Sequence, residues 1–340
     1  MDKKTSLKDV ANHIGVSAAL VSYVMNGKER EARVSEEMVK KIKIAAAELN
    51  YQPNLIAKSL KMGTTKTIGL IVADISNPFF SNIARIIEDE AKKQGYVVIF
   101  GSSDENAAKQ SDLIDVFTTR LVDAFIIAPA MNTVDQIQQI LDKNVPVVLI
   151  DRFFPGLDVD CVHIDNYNAS ANAVKQLVKN GRKKIGMLAY DTTQLHMQER
   201  KRGYKAILKE RNIRFRKEWL VEASYQEMDK DVATKLAAIL QPLQIDALFF
   251  ATNSLAVAGM KAISKMGIRV PGELAIISFD ESEAFDFFYS PVTYVSQSLT
   301  DIGREAVRLV LQRLHNKSRK HHTVIVEARL VVRESCGNNL

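Results

Sequence analysis

The sequence predicts an N-terminal all-α helix-turn-helix unit followed by an α/β core of two lobes, each built on a parallel sheet. Three observations carry this expectation. Two short amphipathic helical patterns flank Gly15. From Thr67 onward, short apolar runs alternate with amphipathic helices, the texture of a parallel sheet covered by helices. Three of those runs then recur, in order, in the second half of the chain.

The first helix places Leu7, Val10, Ala11 and Ile14 at i, i+3, i+4 and i+7, one apolar face. Ser6 with Asp9 three residues on approximates a capping box, Asp standing in for the usual Glu or Gln. Gly15 suits a left-handed helix exit, and Ser17 is a good N-cap for the next helix. That second helix runs from Ala18 to Met25, with Leu20, Val21, Val24 and Met25 as its buried stripe, and Asn26-Gly27 ends it. Helix, tight turn and helix make the helix-turn-helix pattern. Ala18, Ala19, Ser22, Tyr23 and Asn26 lie off the stripe. The start of the second helix in such a motif meets base edges in the major groove. Ala18 and Ala19 would offer apolar contact to a thymine methyl, Tyr23 a hydrogen bond or stacking, and Ser22 a phosphate contact. A small helical bundle with a solvated outer face has the same periodicity, so periodicity alone leaves both readings open.

A polar, charged loop over 27–34 leads to Ser35, which caps a third helix with Glu36 and Glu37 in its first turn, where they suit the helix dipole. Met38, Val39, Ile42, Ala45, Ala46 and Leu49 give it one buried face. Tyr51-Gln52-Pro53-Asn54 breaks this helix, and Pro53 suits the first position of a new one ending near Lys61. That segment is too short to be stable alone, so a linker with incidental helical propensity is the competing reading.

In the core, TIGLIVAD (67–74) recurs as KIGMLAYD (184–191), VDAFIIAP (122–129) as IDALFFAT (245–252), and PVVLID (146–151) as AIISFD (275–280). The matched aspartates are 117, 123 and 129 residues apart, a slowly growing offset that points to two similar lobes. Helices are expected at 83–93 and 169–179, ahead of strands at 96–100 and 184–190. Open parallel sheets bind ligands at the carboxyl ends of their strands, so two facing lobes would enclose a cleft.

With 340 residues, 46% of them apolar, the chain has room for two or three domains. Its net charge of +6 is unevenly placed: residues 1–66 hold 12 Lys and Arg against 7 Asp and Glu, so +5 lies in the first fifth. A basic module on a nearly neutral body is the footprint of phosphate binding. Two distant cysteines, Cys161 and Cys336, fit a reducing, cytoplasmic setting, and neither a signal peptide nor a transmembrane run is read, so no membrane association is expected. The sequence has no G-x-G-x-x-G after a strand, G-x-x-x-x-G-K-[ST], G-x-S-x-G or H-E-x-x-H, so no enzyme, catalytic residue, cofactor or metal is expected. His321-His322 reads as a solvated crossover. The final residues, 333–340, show no heptad pattern, so a C-terminal coiled-coil tetramer is not expected.

The stretch KDVANHIGVSAALVSYVMNG (8–27) resembles the headpiece of the LacI/GalR family of bacterial transcription regulators. The family pattern D-V-A-x-x-x-G-V-S-x-x-T-V-S-x-V-L-N is met at Asp9, Val10, Ala11, Gly15, Val16, Ser17, Val21, Ser22, Val24 and Asn26. It is broken at Leu20, where Thr is usual, and at Met25, where Leu is usual. The resemblance implies that Ala18, Ala19 and Tyr23 read bases, with Ser17, Ser22 and Asn26 beside them. It likens Pro53, Asn54, Ala57 and Leu60 to the family's hinge helix, which pairs in the minor groove with a dimer mate and wedges a leucine, here Leu60, between base steps. It implies a periplasmic-binding-protein-like core of two Rossmann-like subdomains. The implied divisions are a headpiece at 1–52, a hinge at 53–63, an N-subdomain at 66–163 and 293–323, and a C-subdomain at 164–291 and 324–340.

Arg200, three before Gly203, matches the family's effector-clamping arginine, and Asp280 and Asn253 match two other contact positions. Asp74, Phe79, Asp151 and Arg152 complete the expected effector site. Asp74 and Asp151 read equally as strand-end caps, Arg152 as a loop salt bridge, and Phe79 and Phe80 as packing beneath a helix. His196 and Gln198 fall in a loop from which they could touch the ligand, with exposure the expected outcome. Carboxylates, guanidinium and aromatic faces suit a sugar or other polyol. The expected protein is a cytoplasmic, homodimeric, sequence-specific regulator, read as a repressor. It would bind a pseudo-palindromic double-stranded operator under control of a small effector, with a sugar the leading candidate over purines. The alternative is a two-lobed sugar-binding protein without a regulatory DNA role; the basic helix-turn-helix distinguishes the two.

Overall fold

A computed structural model describes residues 5–52, 63–241 and 243–337. The chain forms two compact units, 1–65 and 66–340. The expected hinge residues Asn54, Ala57 and Leu60 lie outside the described residues.

In the first unit, α1 (Leu7–Ile14), α2 (Ala18–Met25) and α3 (Glu36–Glu48) pack around Val10, Ala11, Val21, Val24, Ile42, Ala45 and Ala46. The Ser6–Asp9 capping box forms in full: the Ser6 hydroxyl accepts from Asp9 N, and Asp9 accepts from Ser6 N at 2.8 Å. Gly15 takes φ 72°, a conformation a side chain would strain, and so turns the chain between α1 and α2. Leu20 and Met25 of the expected stripe are only partly buried, whereas Val21 and Val24 are buried.

The second unit holds two six-stranded sheets. The first contains β1 (Thr67–Val72), β2 (Val97–Ser102), β3 (Ala124–Ile127), β4 (Val147–Ile150), β5 (Asp160–Ile164) and β11 (Thr323–Val326), in the order β11-β5-β4-β3-β1-β2. The second contains β6 (Ile185–Tyr190), β7 (Leu220–Ala223), β8 (Ala247–Phe250), β9 (Ala275–Phe279), β10 (Thr293–Gln297) and β12 (Ala328–Val331), in the order β12-β10-β9-β8-β6-β7. The two orders are the same list shifted by five strands, apart from the final edge strand. The three recurring runs are β1 and β6, β3 and β8, and β4 and β9. All pairings are parallel except β10 with β12. The central strands β3, β4, β8 and β9 are wholly buried, as helix-covered parallel strands must be.

Helices α4 (Pro78–Lys93), α5 (Ala107–Thr119), α6 (Val134–Asp142), α7 (Asn166–Lys179), α8 (Leu195–Glu210) and α9 (Asn253–Lys265) intervene in order, and α10 (Leu299–His315) follows β10. The first of these starts five residues earlier than its apolar period indicates, because Asn77 caps it and Pro78 opens it. The chain passes between lobes three times. The first passage, between β5 and α7 at Asp165, lies within two residues of the expected boundary. The other two differ from expectation. Residues 293–297 form β10 of the second sheet, so the passage lies at Ser298, and β11 keeps 323–326 in the first sheet, so the last passage is at Glu327. An apolar strand reads alike whichever sheet it joins, and only long-range register tells them apart. Among the described residues, no helix is long and apolar enough to cross a membrane.

Candidate functional site

Each unit carries one candidate surface. In the first, α2 presents Ala19 and Tyr23 outward one helical turn apart, with Tyr23 45% exposed. Ala18 is half-buried against the three-helix core. Ser17 is engaged as N-cap, accepting from Leu20 N at 3.1 Å. Asn26 folds back on α2, its amide donating to the Ser22 carbonyl at 2.7 Å and to Ser22 Oγ at 3.3 Å. Ala19 and Tyr23 therefore stand clear on the outer face of α2, while Ser17 caps its start and Asn26 folds back on Ser22 near its end.

In the second unit, loops at the carboxyl ends of the strands of both sheets meet around a cavity of about 220 Å³. From the first lobe come Asp74, Phe79, Phe80, Glu105, Met131, Asp151 and Arg152; from the second, Tyr190, Asp191, His196, Arg200, Tyr225 and Asp280. Asp151 follows β4 and Asp280 follows β9, matched positions in the two lobes, and both take a left-handed backbone, φ 64° and 66°. Asp tolerates that conformation better than most residues, which accounts for its use at both exits.

Gly203 sets the position of Arg200. A side chain at Gly203 would come within 2.4 Å of the Tyr167 carbonyl, so glycine allows α8 to lie tightly against α7. Arg200, 2% exposed, then donates to Asn166 Oδ1 at 2.8 Å and to the Ala251 carbonyl at 2.7 Å. Its guanidinium covers the Phe279 ring at 3.5 Å and lies 3.7 Å from Asp280 Oδ2. Asp280 Oδ1 accepts from the Gln297 amide at 2.5 Å. Burial pushes the Asp280 carboxyl up to about 6, despite the opposing pull of Arg200. Burial also raises Asp151, while Arg152 and Arg200 act against it.

Arg152 makes the loop salt bridge that its sequence position allowed. It grips Glu105 with both ends of its fork, at 2.7 and 2.6 Å, and reaches Asp151 at 3.2 Å. Burial opposes its charge, but Glu105 and Asp151 outweigh burial and hold its pKa above the ordinary value. Asp74 caps its own loop, one oxygen accepting from Ser76 N at 2.9 Å and from Ser76 Oγ at 2.6 Å. Its other oxygen accepts from the Tyr225 hydroxyl across the cleft at 2.5 Å. Phe79 and Phe80 both pack in the core and reach the cavity wall. Asn253 does not line the cavity; it is 2% exposed and bridges the lobes by donating to Asn77 Oδ1 at 3.2 Å.

Several cavity residues escape the sequence reading. Glu105 follows β2 and Tyr225 follows β7, the edge strands that none of the recurring runs marks. Met131 and Thr192 face each other from opposite lobes. His196 corrects the expectation of exposure: it is 8% exposed on the cavity wall, because the first turn of α8 points inward. Gln198 is exposed as expected.

Fold and cleft together define a two-lobed ligand-binding core joined to a helix-turn-helix unit. Comparison with known proteins agrees. Residues 6–54 match bacterial regulatory proteins of the lacI family, and residues 174–336 match a periplasmic binding protein-like domain. The chain is 30% identical to the HTH-type transcriptional repressor PurR of Mannheimia succiniciproducens over 97% of its length and 98% of the relative's. It is 30% identical, with the same coverage, to the ribose operon repressor of Haemophilus influenzae. Its fold superposes with a TM-score of 0.85 on the crystal structure of the lac repressor dimer bound to operator and the anti-inducer ONPF, at 23% identity and covering 98% of this chain and 99% of that one. The chain belongs to the lacI family of bacterial regulatory proteins and is a DNA-binding transcriptional regulator, not an enzyme.

Proposed function

We propose that this regulator is a cytoplasmic, homodimeric repressor. It holds a small polyhydroxy ligand, a sugar or sugar derivative, in its cleft, and occupation changes its affinity for a pseudo-palindromic double-stranded operator. One observation carries the ligand reading: carboxylates, two guanidiniums and the rings of Phe79, Phe80, Tyr190 and Tyr225 converge from both lobes on a single cavity. Carboxylates accept from sugar hydroxyls, guanidiniums donate to ring and hydroxyl oxygens, and aromatic faces pack on C–H surfaces. We assign Asp74, Phe79, Asp151, Arg152, Arg200 and Asp280 to the ligand and make Asn253 a tether between lobes. Two relatives named as repressors support repression.

On the DNA side, Ala19 and Tyr23 are the base readers, with Ala18 at their edge and Ser17, Ser22 and Asn26 holding α2 in shape. The hinge is assigned to 53–63, after a headpiece at 1–52, with Asn54, Ala57 and Leu60 meeting the minor groove. Leu60→Ala is expected to weaken operator binding while effector binding stays intact, read by anisotropy and calorimetry on the same preparation. The core subdomains are assigned to 66–164 with 299–326 and to 166–297 with 328–340.

The deciding experiment is a fluorescence-anisotropy titration of the purified protein on its own upstream region, repeated with sugars, sugar phosphates and purines. Salt-sensitive, sequence-selective binding altered by a sugar is the expected result. Binding altered only by a purine would overturn the polyol assignment, and absence of sequence-selective binding would overturn the operator assignment.

A further inference from the structure

Resting on the cleft reading above, we propose that the cavity selects an uncharged, monosaccharide-sized polyol and rejects its phosphate esters, with Glu105 and His196 setting that choice. At about 220 Å³ the cavity lies below the roughly 300–1,000 Å³ usual for ligand pockets, which favours one sugar ring over several.

A phosphate ester is held by cationic side chains or by helix N-terminal amides free to face it. Among the described residues lining this cavity, the only Lys or Arg side chains are Arg152 and Arg200, and both already have partners within the protein, which leaves each with fewer donors for a ligand. Glu105 occupies the Arg152 fork through both of its oxygens. Arg200 is engaged by Asn166, the Ala251 carbonyl and the Phe279 face. At the start of α4, Phe79 N is taken by Asn77 Oδ1 at 3.0 Å, and at the start of α8 Met197 N donates to the Gln194 carbonyl at 3.1 Å.

The field in the cavity has the wrong sign for an anion. Asp74, Glu105, Asp151, Asp191 and Asp280 line it against two guanidiniums. Burial favours protonation of Asp151 and Asp280, yet the other three carboxylates still outnumber the arginines. A phosphate dianion entering this space meets net repulsion, whereas hydroxyl groups find acceptors.

His196 adds the positive criterion. Its Nδ1 is buried with no hydrogen-bond partner among the described residues. Burial, then Arg152 and Arg200, lower its pKa well below the ordinary value, so the ring stays neutral. A neutral imidazole has one donor and one acceptor nitrogen, which matches a hydroxyl that both gives and takes. A hydroxyl at Nδ1 would satisfy this buried group.

The test is calorimetry on the full-length protein with D-ribose, D-xylose, D-glucose and D-galactose, each beside its terminal phosphate ester. At least one free sugar is expected to bind, and its ester to bind at least about tenfold more weakly. Glu105→Gln, which releases the Arg152 fork and removes one carboxylate, is expected to shrink that ratio by about tenfold. His196→Phe is expected to weaken the free sugar by about tenfold while leaving the melting temperature near wild type. An ester binding as tightly as its sugar overturns the charge selection but leaves the cleft reading standing. Binding of none of these probes overturns both. The wild-type ratio decides the charge question even where a variant folds poorly, and an unchanged ratio in a folded Glu105→Gln protein removes Glu105 from the choice.

Discussion

Burial moves the Asp280 carboxyl from its ordinary 3.8 to about 6, and that difference is a statement about stability. A raised folded-state value means that the folded chain holds the proton more tightly than the unfolded one. The stabilisation is therefore complete below about pH 4 and lost as pH rises through about 6, a loss on the order of 3 kcal/mol. Asp280→Asn keeps an oxygen for the Gln297 amide and removes the ionisation. The expected result is a melting temperature close to wild type at pH 4 and progressively above it towards pH 7, read by calorimetry without ligand. A pH-independent difference would mean that Asp280 does not titrate in this window. At this scale the sequence was legible where a residue follows a central strand. Asp74, Asp151, Arg152 and Asp280 stand at the ends of β1, β4 and β9, and all reach the cavity. Glu105 was illegible because it stands three residues beyond the end of β2, and Tyr225 because the half-exposed side chains of edge strand β7 blur the apolar run. His196 was illegible because its burial depends on how the first turn of α8 faces the other lobe, which periodicity does not encode.

Among elements, α10 shows how a helix is tied to a distant strand. Arg313 near its end donates to Asp160 Oδ2 on β5 through Nε at 3.0 Å and Nη2 at 2.9 Å, and Arg319 adds a third donor at 2.8 Å. The other Asp160 oxygen accepts from His322 N at 2.8 Å, and Asp160 is fully buried. One carboxylate thus folds residues 316–322 back onto the first sheet and delivers β11 to its place beside β5. Removing one partner of a buried ion pair leaves the others uncompensated, so Asp160→Asn is expected to cost about 3–5 kcal/mol, seen as a lowered urea midpoint. A loss under about 1 kcal/mol would show that the cluster is exposed to water in solution. Tyr225 makes a lighter tie, across the cleft to Asp74. Tyr225→Phe keeps the ring beside Tyr190, 5.6 Å away, and loses about 1.5 kcal/mol in the same assay. Helix caps and central strands could be read locally, since Ser6, Gly15, Ser17 and Ser35 act within a few residues of themselves. The second and third passages between lobes could not, because TYVSQ and TVIV declare their sheet only through register with strands far away in sequence.

For the whole molecule, two sites that influence each other do so through a free energy they share. If a ligand in the cleft changes operator affinity by some factor, operator DNA must change ligand affinity by the same factor. Calorimetric titrations of ligand with and without operator, set against anisotropy titrations with and without ligand, are expected to agree. Unequal factors would require more than the two states assumed. The placement of the last two strands has a further consequence for how the protein is made. Residues 323–326 complete the edge of one sheet and residues 328–331 the edge of the other. A chain emerging from the ribosome in order therefore carries two unfinished sheets, with β5 and β10 held at edges that they do not occupy in the finished fold, until residues 323–331 have been joined. The headpiece, whose buried core residues all lie within 10–46, has no such wait. Synthesis thus yields a DNA-binding end first and a ligand-sensing end last, so nascent and prematurely terminated chains are the forms most exposed to misassociation.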